Sequence, residues 1–372
     1  MSGTKRMRGA RDGWSMLLCW SVLWGGLLFL GLPQQAWAKW YILTGTTPNN
    51  VFVIDAETDT VVKEIPLSGH GPIYAVVPNP THPQFAYVVT NLNQSVAIVD
   101  LDEGKEVTRF NLSNDNELVR TMAVDVNPQG NRLYIYEMPL KQSPGRYDIQ
   151  DTRIRVIDLD TTNVVKVFKA PRQIMSLASS QDGKRLYGFT VGRDVYEMDP
   201  EKGELVDTIP LMNRNITGEA RIDGLPLYNP YQENSFFVAF AAVVTDSLTK
   251  NTTLGISYLD LSQPEPELKV LEVQPYTAEN WTVAAAASPK TRKAYFGFNS
   301  LWKVDLNTRQ IEATVPLENT HFSPFVSPDG KKVYCGGNWH FISVFDAETL
   351  KPLTKIELHH PQAGAGLRFV QR

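Results

Sequence analysis

The chain has 372 residues, 42% hydrophobic and 20% charged, with a formal net charge of −4. That is globular composition, long enough to bury a sizeable core, and its acidic balance excludes the broad basic surface that nucleic-acid binding requires. With only two cysteines, Cys19 and Cys335, a disulfide-built scaffold is excluded as well.

The first element is an export signal. Lys5, Arg6, Arg8 and Arg11 form a positive region, Trp14 to Leu32 an apolar run, and Ala36-Trp37-Ala38 a small-x-small cleavage site. Cleavage is expected after Ala38, so residues 1–38 are a signal peptide and residues 39–372 a single domain in the periplasm. The alternative is an uncleaved anchor, because an apolar run of about 19 residues is long enough to span a bilayer. Cleavage removes Cys19, leaves Cys335 as the single cysteine and rules out an intrachain disulfide. No later stretch is apolar for long enough to cross a membrane as a helix.

From Val51 onward one pattern recurs: an alternating apolar strand ending in Asp, a polar turn, then a second strand. The seven copies end at Asp55, Asp100, Asp158, Asp199, Asp260, Asp305 and Asp346. An aspartate at a strand end accepts hydrogen bonds from backbone N–H groups two or three residues on, which fixes a tight turn. Because the same residue recurs in every unit, its role reads as structural and not as metal binding or catalysis. The strand after the turn often stops at Pro, as in Val61 to Pro66, which suits an outer edge where a missing N–H is harmless. Upstream of each Asp strand lies a second hairpin signal, as in Asn127-Pro-Gln-Gly130, Gln181-Asp-Gly183 and Ser327-Pro-Asp-Gly330. Each unit is therefore four short strands, and the fold class is all-β: a seven-bladed β-propeller of four-stranded blades. Lys39 to Gly45 reads as the second strand of a blade without a first strand. Ala365 to Val370 reads as a first strand with nothing after it, so the N- and C-terminal strands should pair and close the ring.

In such a blade the tight 1–2 and 3–4 turns share one face, while the 2–3 loops and the crossovers between blades share the other. Extra residues at Met138 to Thr152, Met212 to Asp223 and Val243 to Thr253 all fall on the second face. Loops that vary over a rigid scaffold are where binding concentrates. His70, His321, His340, His359 and His360 map to that face and His82 to the opposite one, but no metal-ligand spacing links them. The same crossovers supply Tyr74, Arg120, Arg172, Gln173, Tyr276, Trp281, His321 and Phe322 at the starts of the innermost strands. Aromatics and Arg in those positions either anchor a partner protein or plug the channel, and the sequence leaves both readings open. No nucleophile elbow, phosphate loop or dinucleotide fingerprint occurs, so no catalytic residue is assigned; Cys335, before Gly336-Gly337, reads as a buried, inert thiol.

The segments Lys169-Ala-Pro-Arg-Gln-Ile174, Gln181-Asp-Gly-Lys-Arg-Leu-Tyr-Gly188 and Met198-Asp-Pro-Glu201 resemble the β subunit of quinohemoprotein amine dehydrogenase. So do Tyr136-Glu-Met-Pro139 and Val344-Phe-Asp-Ala-Glu-Thr-Leu350. The resemblance runs over essentially the whole chain after residue 38. It implies a periplasmic heterotrimer that oxidises primary amines to aldehydes and ammonia. A small γ subunit would carry cysteine tryptophylquinone and an α subunit, a cytochrome c, two haems. The β propeller would hold no cofactor or metal of its own, pack over γ and help wall off the substrate pocket. The sequence fits that division, since it has no C-x-x-C-H haem attachment motif. Three other readings remain: the heavy subunit of methylamine dehydrogenase, a stand-alone secreted binding propeller of the YVTN-repeat type, and a lactonase-like enzyme.

Overall fold

The computed structural model describes residues 38–190, 194–209, 221–222, 237–245, 248–261, 263–267, 269–275, 282–288, 290–362 and 366–372. The segment read as a signal peptide, most of the predicted 212–223 insertion, and Tyr276 and Trp281 lie outside them. Among the described residues no helix is long and apolar enough to cross a membrane.

Antiparallel strands follow one another along the chain. β1 (Trp40–Thr46), β2 (Asn50–Asp55) and β3 (Thr60–Pro66) begin the first sheet. β4 (Ala75–Pro78), β5 (Phe85–Thr90), β6 (Ser95–Asp100) and β7 (Lys105–Asn111) form the second. The third comprises β8 (Glu117–Arg120), β9 (Val124–Val126), β10 (Arg132–Ser143), β11 (Arg146–Ile149), β12 (Arg153–Asp158) and β13 (Val164–Lys169). The fourth is β14 (Ile174–Ser179), β15 (Leu186–Thr190), β16 (Val195–Asp199) and β17 (Glu204–Ile209). The fifth is β18 (Arg221–Ile222), β19 (Phe237–Thr245), β20 (Thr252–Asp260) and β21 (Lys269–Pro275). β22 (Thr282–Ser288), β23 (Lys293–Phe298), β24 (Ser300–Asp305) and β25 (Gln310–Pro316) make the sixth. β26 (His321–Val326), β27 (Lys332–Gly337), β28 (Phe341–Asp346) and β29 (Pro352–Glu357) make the seventh. The last strand, β30 (Arg368–Gln371), returns to the first sheet beside β1, with Tyr41 opposite Val370 and Leu43 opposite Arg368. Successive hairpin-linked sheets of this kind are the units of a β-propeller.

The repeat aspartates act as turn residues. Asp55, Asp100, Asp199 and Asp305 each accept from the backbone N–H groups two and three residues on. Asp158 and Asp346 accept from the third N–H and also from a threonine hydroxyl there. The upstream hairpins close as Gly130 and Gly330 donate to Asn127 and Ser327, with φ of 71° and 73°, a region that a side chain disfavours.

Alternation then builds the core between sheets. Leu43, Val53, Val88 and Val99 pack the first sheet on the second, while Val89, Val96, Leu133 and Ile135 pack the second on the third. Tyr136, Ile154, Leu177 and Met198 join the third to the fourth, and Ile256, Ala287, Phe296 and Val304 join the fifth to the sixth. Tyr295, Leu301, Val333 and Phe345 join the sixth to the seventh, and Ile42, Phe52, Tyr334 and Val344 join the seventh to the first. The fourth and fifth sheets meet where Gln181 N donates to Leu261 O at 3.3 Å.

Polar staples reinforce these seams. Tyr87, Tyr134, Tyr187, Tyr295 and Tyr334 on five of the second strands are buried, and two of them cap the next sheet's turn. Tyr295 Oη donates to Ala347 O at 3.0 Å and Tyr334 Oη to Ala56 O at 3.2 Å. Lysines do the same: Lys63 Nζ reaches Leu101 O at 2.9 Å, Lys303 Nζ reaches Glu348 O at 2.7 Å, and Lys332 Nζ reaches Ala56 O at 3.0 Å.

Each outermost strand carries a β-bulge. In six sheets it lies opposite the two residues that precede the repeat Asp. The extra residue is Val62, Val107, Val165, Val206, Glu312 or Leu353, and the five apolar ones are 44–52% exposed. The bulge twists the free edge and spoils its ladder, which discourages edge-to-edge association. Glu312 instead turns back to Lys293 at 2.5 Å and Lys303 at 3.3 Å.

Candidate functional site

Strand direction identifies the face on which a site can form. β10 starts at a tight turn and runs toward the 2–3 connection, and β9 lies antiparallel to it with Val124 opposite Ile135. The start of β9 therefore lies at the 2–3 loop and crossover face.

There the starts of four innermost strands surround a cavity of about 20 Å³, room for a single water-sized group. Its walls are Tyr74, Ala75 and Val76 from β4 and its lead-in, and Met122, Ala123 and Val124 around β9. Met175 and Ser176 come from β14, and Gly366 and Arg368 from β30 and its approach. Arg368 is half-buried and its Nε donates to Val76 O at 3.3 Å. Ser176 is buried, and its Oγ has no hydrogen-bond partner.

A second set of bulges shapes this end of the innermost strands. In β14, Ile174 pairs with Thr190 and Ser176 with Phe189, which leaves Met175 as the extra residue beside the cavity. β22 and β26 do the same at Val283 and Phe322. Inserting one residue at the second position turns the next side chain toward the other side of the strand, a common device beside binding sites.

The residues singled out in the sequence are dispersed by the structure. Tyr74 reaches the cavity wall, held by its N–H donating to Val89 O at 3.0 Å. Arg172 and Gln173 are exposed just before β14, Gln173 with a φ of 69°, and neither lines the cavity. Arg120 is exposed at the end of β8, opposite Met138. Phe322 is the bulged residue of β26. His321, at the start of β26, is fully buried. It packs edge-on against Phe341 with ring centroids 5.8 Å apart, and neither ring nitrogen has a hydrogen-bond partner. Burial pushes its pKa down from 6.5 to about 4, against a weaker upward pull from the carbonyls of Gly336 and Cys335. Met122, Met175, Ser176 and Arg368 were not singled out beforehand. Arg368 had a legible signal, since it lies in the terminal segment read as a first strand.

The 138–152 insertion is built as an arm on the same face. β10 continues past its sheet to Ser143, with β8 on one side and β11 on the other, and Tyr147 and Ile149 of β11 are 64% and 69% exposed. The arm is rooted in an ion-pair network. Glu137, fully buried, receives Arg153 Nε at 2.5 Å and also Arg155 Nε, while Arg153 reaches across to Glu117 of β8 at 2.6 Å.

Other sequence features resolve into structure. Among the described residues, no three His, Cys, Asp or Glu side chains group closely enough to hold a metal ion. His359 and His360 face Glu64 at 2.9 and 3.4 Å. Cys335 is fully buried, and desolvation pushes its thiol pKa up, which keeps it protonated and unreactive.

No protein-family model and no curated protein matches the chain. Solved structures do share its fold. Hydrazine synthase of Kuenenia stuttgartiensis superposes with a TM-score of 0.56 at 17% identity, covering 84% of this chain and 90% of that one. A functionally unknown protein of Desulfotomaculum acetoxidans gives 0.57 at 11% identity, covering 90% and 99%. The dihydro-heme d1 dehydrogenase NirN, solved in complex with DHE, gives 0.52 at 13% identity, covering 92% and 78%. At these identities the likeness establishes a β-propeller fold and nothing about the chemistry of this chain.

Proposed function

We propose that the chain is the β subunit of a periplasmic quinohemoprotein amine dehydrogenase, a seven-bladed propeller without a cofactor of its own. It is exported by its first 38 residues, and its ring is closed by β30 beside β1. Its crossover face docks a quinone-bearing γ subunit and a dihaem cytochrome c α subunit, and it helps form the pocket where a primary amine is oxidised to aldehyde and ammonia. The observation that carries this reading is the arm. A three-stranded extension with Tyr147 and Ile149 exposed at its outer strand stands on the face that also holds the mouth cavity. Large exposed side chains on a rooted arm suit burial against another protein.

Two further points support it. The packing of each sheet on the next, from the first to the seventh and back, suits a seven-bladed ring. One of the similar structures is a dehydrogenase by its description, which suits a propeller that serves an oxidoreductase. A stand-alone binding propeller of the YVTN type is the second reading, and the small cavity with its unpaired hydroxyl is what favours it.

The deciding experiment is a visible spectrum of the native complex pulled from the periplasm through a tag on Arg372. Haem c bands that become reduced on adding a primary amine are expected, and Arg172→Glu should weaken recovery of the complex. A colourless chain without partners would overturn the assignment and leave the stand-alone reading.

A further inference from the structure

We propose that the open side of the arm seats an acidic, amphipathic segment of a partner protein, whose apolar side chains cover Leu118, Leu140 and Ile149 and whose carboxylates meet Arg120 and Arg172. The register fixes which side chains share that side, because residues directly opposite in an antiparallel pair lie on one face. Leu140 of β10 stands opposite Ile149 of β11 and also opposite Leu118 of β8, so the three form one row across the arm. Tyr147, opposite Gln142, and Met138, opposite Arg120, flank that row on the same side. The other side is packed. It carries Glu137, Pro139 and Val119, all buried, and the Arg153 bridge from Glu137 to Glu117. A sheet with one face in water normally turns polar residues outward, and this one turns an apolar row outward, with Tyr147 and Ile149 mostly exposed.

Charge selects the occupant. Met138 packs on the cluster that contains Tyr136 and Ile174, so the root of the open side adjoins the approach to β14, where Arg172 is exposed. Arg120 is exposed at the end of β8, and among the described residues no ion pair engages either guanidinium. The Arg172 charge also acts on Asp151, but that carboxylate is paired with Lys169 at 2.9 Å. Two such guanidinium groups beside an apolar row, on a chain of net charge −4, fit carboxylates set among large apolar side chains. A second copy of the chain fits less well, since a symmetric pair would gather both sets of arginines in one contact. Four residues on each of three strands also cover only about 200 Å², against about 800 Å² per partner in a stable interface. An anionic bilayer fits less well too, because it is held by clusters of about 4–8 Lys and Arg. The arm is therefore the anchor of a partner that continues over the crossover face. This rests on the partner-docking part of the reading above, and not on a quinone or haem.

The test is recovery of the native complex through the Arg372 tag, scored by light scattering as partner bound per chain. Ile149→Glu and Arg120→Glu alter exposed residues, so the chain should fold as the parent does while each cuts partner recovery about tenfold or more. Val107→Glu, at the rim, should leave recovery unchanged. Arg120→Lys should retain the partner, and carbodiimide should join its new amine to a partner aspartate or glutamate in a peptide that also carries large apolar residues. Full recovery with both Ile149→Glu and Arg120→Glu overturns the proposal. So does a carbodiimide product with a second copy of this chain, or binding of the parent to phosphatidylglycerol vesicles that Ile149→Glu abolishes. A parent chain recovered without any protein overturns it together with the docking function. A colourless partner that both variants lose upholds it and refutes the amine dehydrogenase reading alone.

Discussion

His321 makes acid sensitivity a quantitative consequence of the fold. It is fully buried, and the nearby carbonyls of Gly336 and Cys335 compensate only part of the hydration that a proton on the ring would lose. Its pKa is about 4 in the fold against 6.5 in the unfolded chain. Between those values the unfolded chain binds a proton that the folded chain does not. Stability is therefore full above about pH 6.5 and is lost as pH falls toward 4, below which both states are protonated. At about 1.4 kcal/mol per unit the loss is about 3 kcal/mol over that window. The charged groups acting on the ring, Glu318 and Lys355, oppose each other, which leaves burial dominant. The assay is urea unfolding at several pH values for the parent and His321→Leu. Subtracting the variant's curve removes the contribution of carboxylates common to both. The difference should grow by about 3 kcal/mol between pH 7 and pH 4, in the sense that the parent loses more. Parallel curves would show that the ring is compensated in the fold, and the reasoning from burial would fail.

Glu137→Ala leaves Arg153 and Arg155 without their shared buried carboxylate, so it should destabilise by about 3–5 kcal/mol and expose the arm near Gly145 to protease. Gly130→Ala forces a side chain onto a residue with φ of 71° and into Thr81 Oγ1 and Asn79 Oδ1. A loss of about 1–3 kcal/mol by chemical denaturation is expected, whereas Gly145→Ala, with open space around it, should lose less. Val107→Glu changes a half-exposed bulge residue at the rim to the residue type that the sixth sheet already has there. It should shift stability by no more than about 0.5 kcal/mol while slowing aggregation measured by light scattering. Hydrogen bonds depress the pKa of Asp158 and Asp346 below 3.8, chiefly from Thr161 and Thr349. Their contribution is complete above pH 3.8 and vanishes as pH falls through the lower folded values, so Asp346→Asn should flatten the melting-temperature profile only below that pH.

The repeat was legible because it is local chemistry. An aspartate ending an apolar alternation has few ways to satisfy its neighbours' N–H groups, and Asp55 or Asp305 finds the expected one. Pro66, Pro275 and Pro316 end outermost strands for an equally local reason. The pairing of the terminal strands followed from counting strands, although β30 starts at Arg368, later than the alternation indicated. The site was less legible. Ser176 is an ordinary serine in an apolar strand until a bulge at Met175 fixes which side it faces, and a bulge leaves no signature at its own position. His321 opens a strand after a loop, and its sequence left open whether it anchors a partner or plugs the channel. Long-range packing against Phe341 and β27 buries it, and that placement cannot be read from its neighbours in sequence. The 138–152 insertion was visible as extra length, but its strand pairing with β8 depends on Glu117 reaching Arg153 across 36 residues.

The two sets of bulges separate what the scaffold needs from what the site needs. At the rim the bulge recurs in register with the repeat Asp, and in five of six sheets the extra residue is apolar and half-exposed. A feature so regular answers a problem that every sheet shares, the free edge. At the mouth the bulge occurs in the fourth, sixth and seventh sheets; the second pairs there without a shift, and in the first the register slips between Leu43–Arg368 and Thr46–Gln362. That asymmetry has no use in edge protection, because innermost strands at the mouth present no long free edge to a second molecule. Its consequence is to break the equivalence of the sheets around one opening, placing Met175 and Ser176 on one strand start and Arg368 on another. A channel built from repeats becomes a site only when the repeats stop being alike, and in this chain they differ at the crossover face, where the arm also stands.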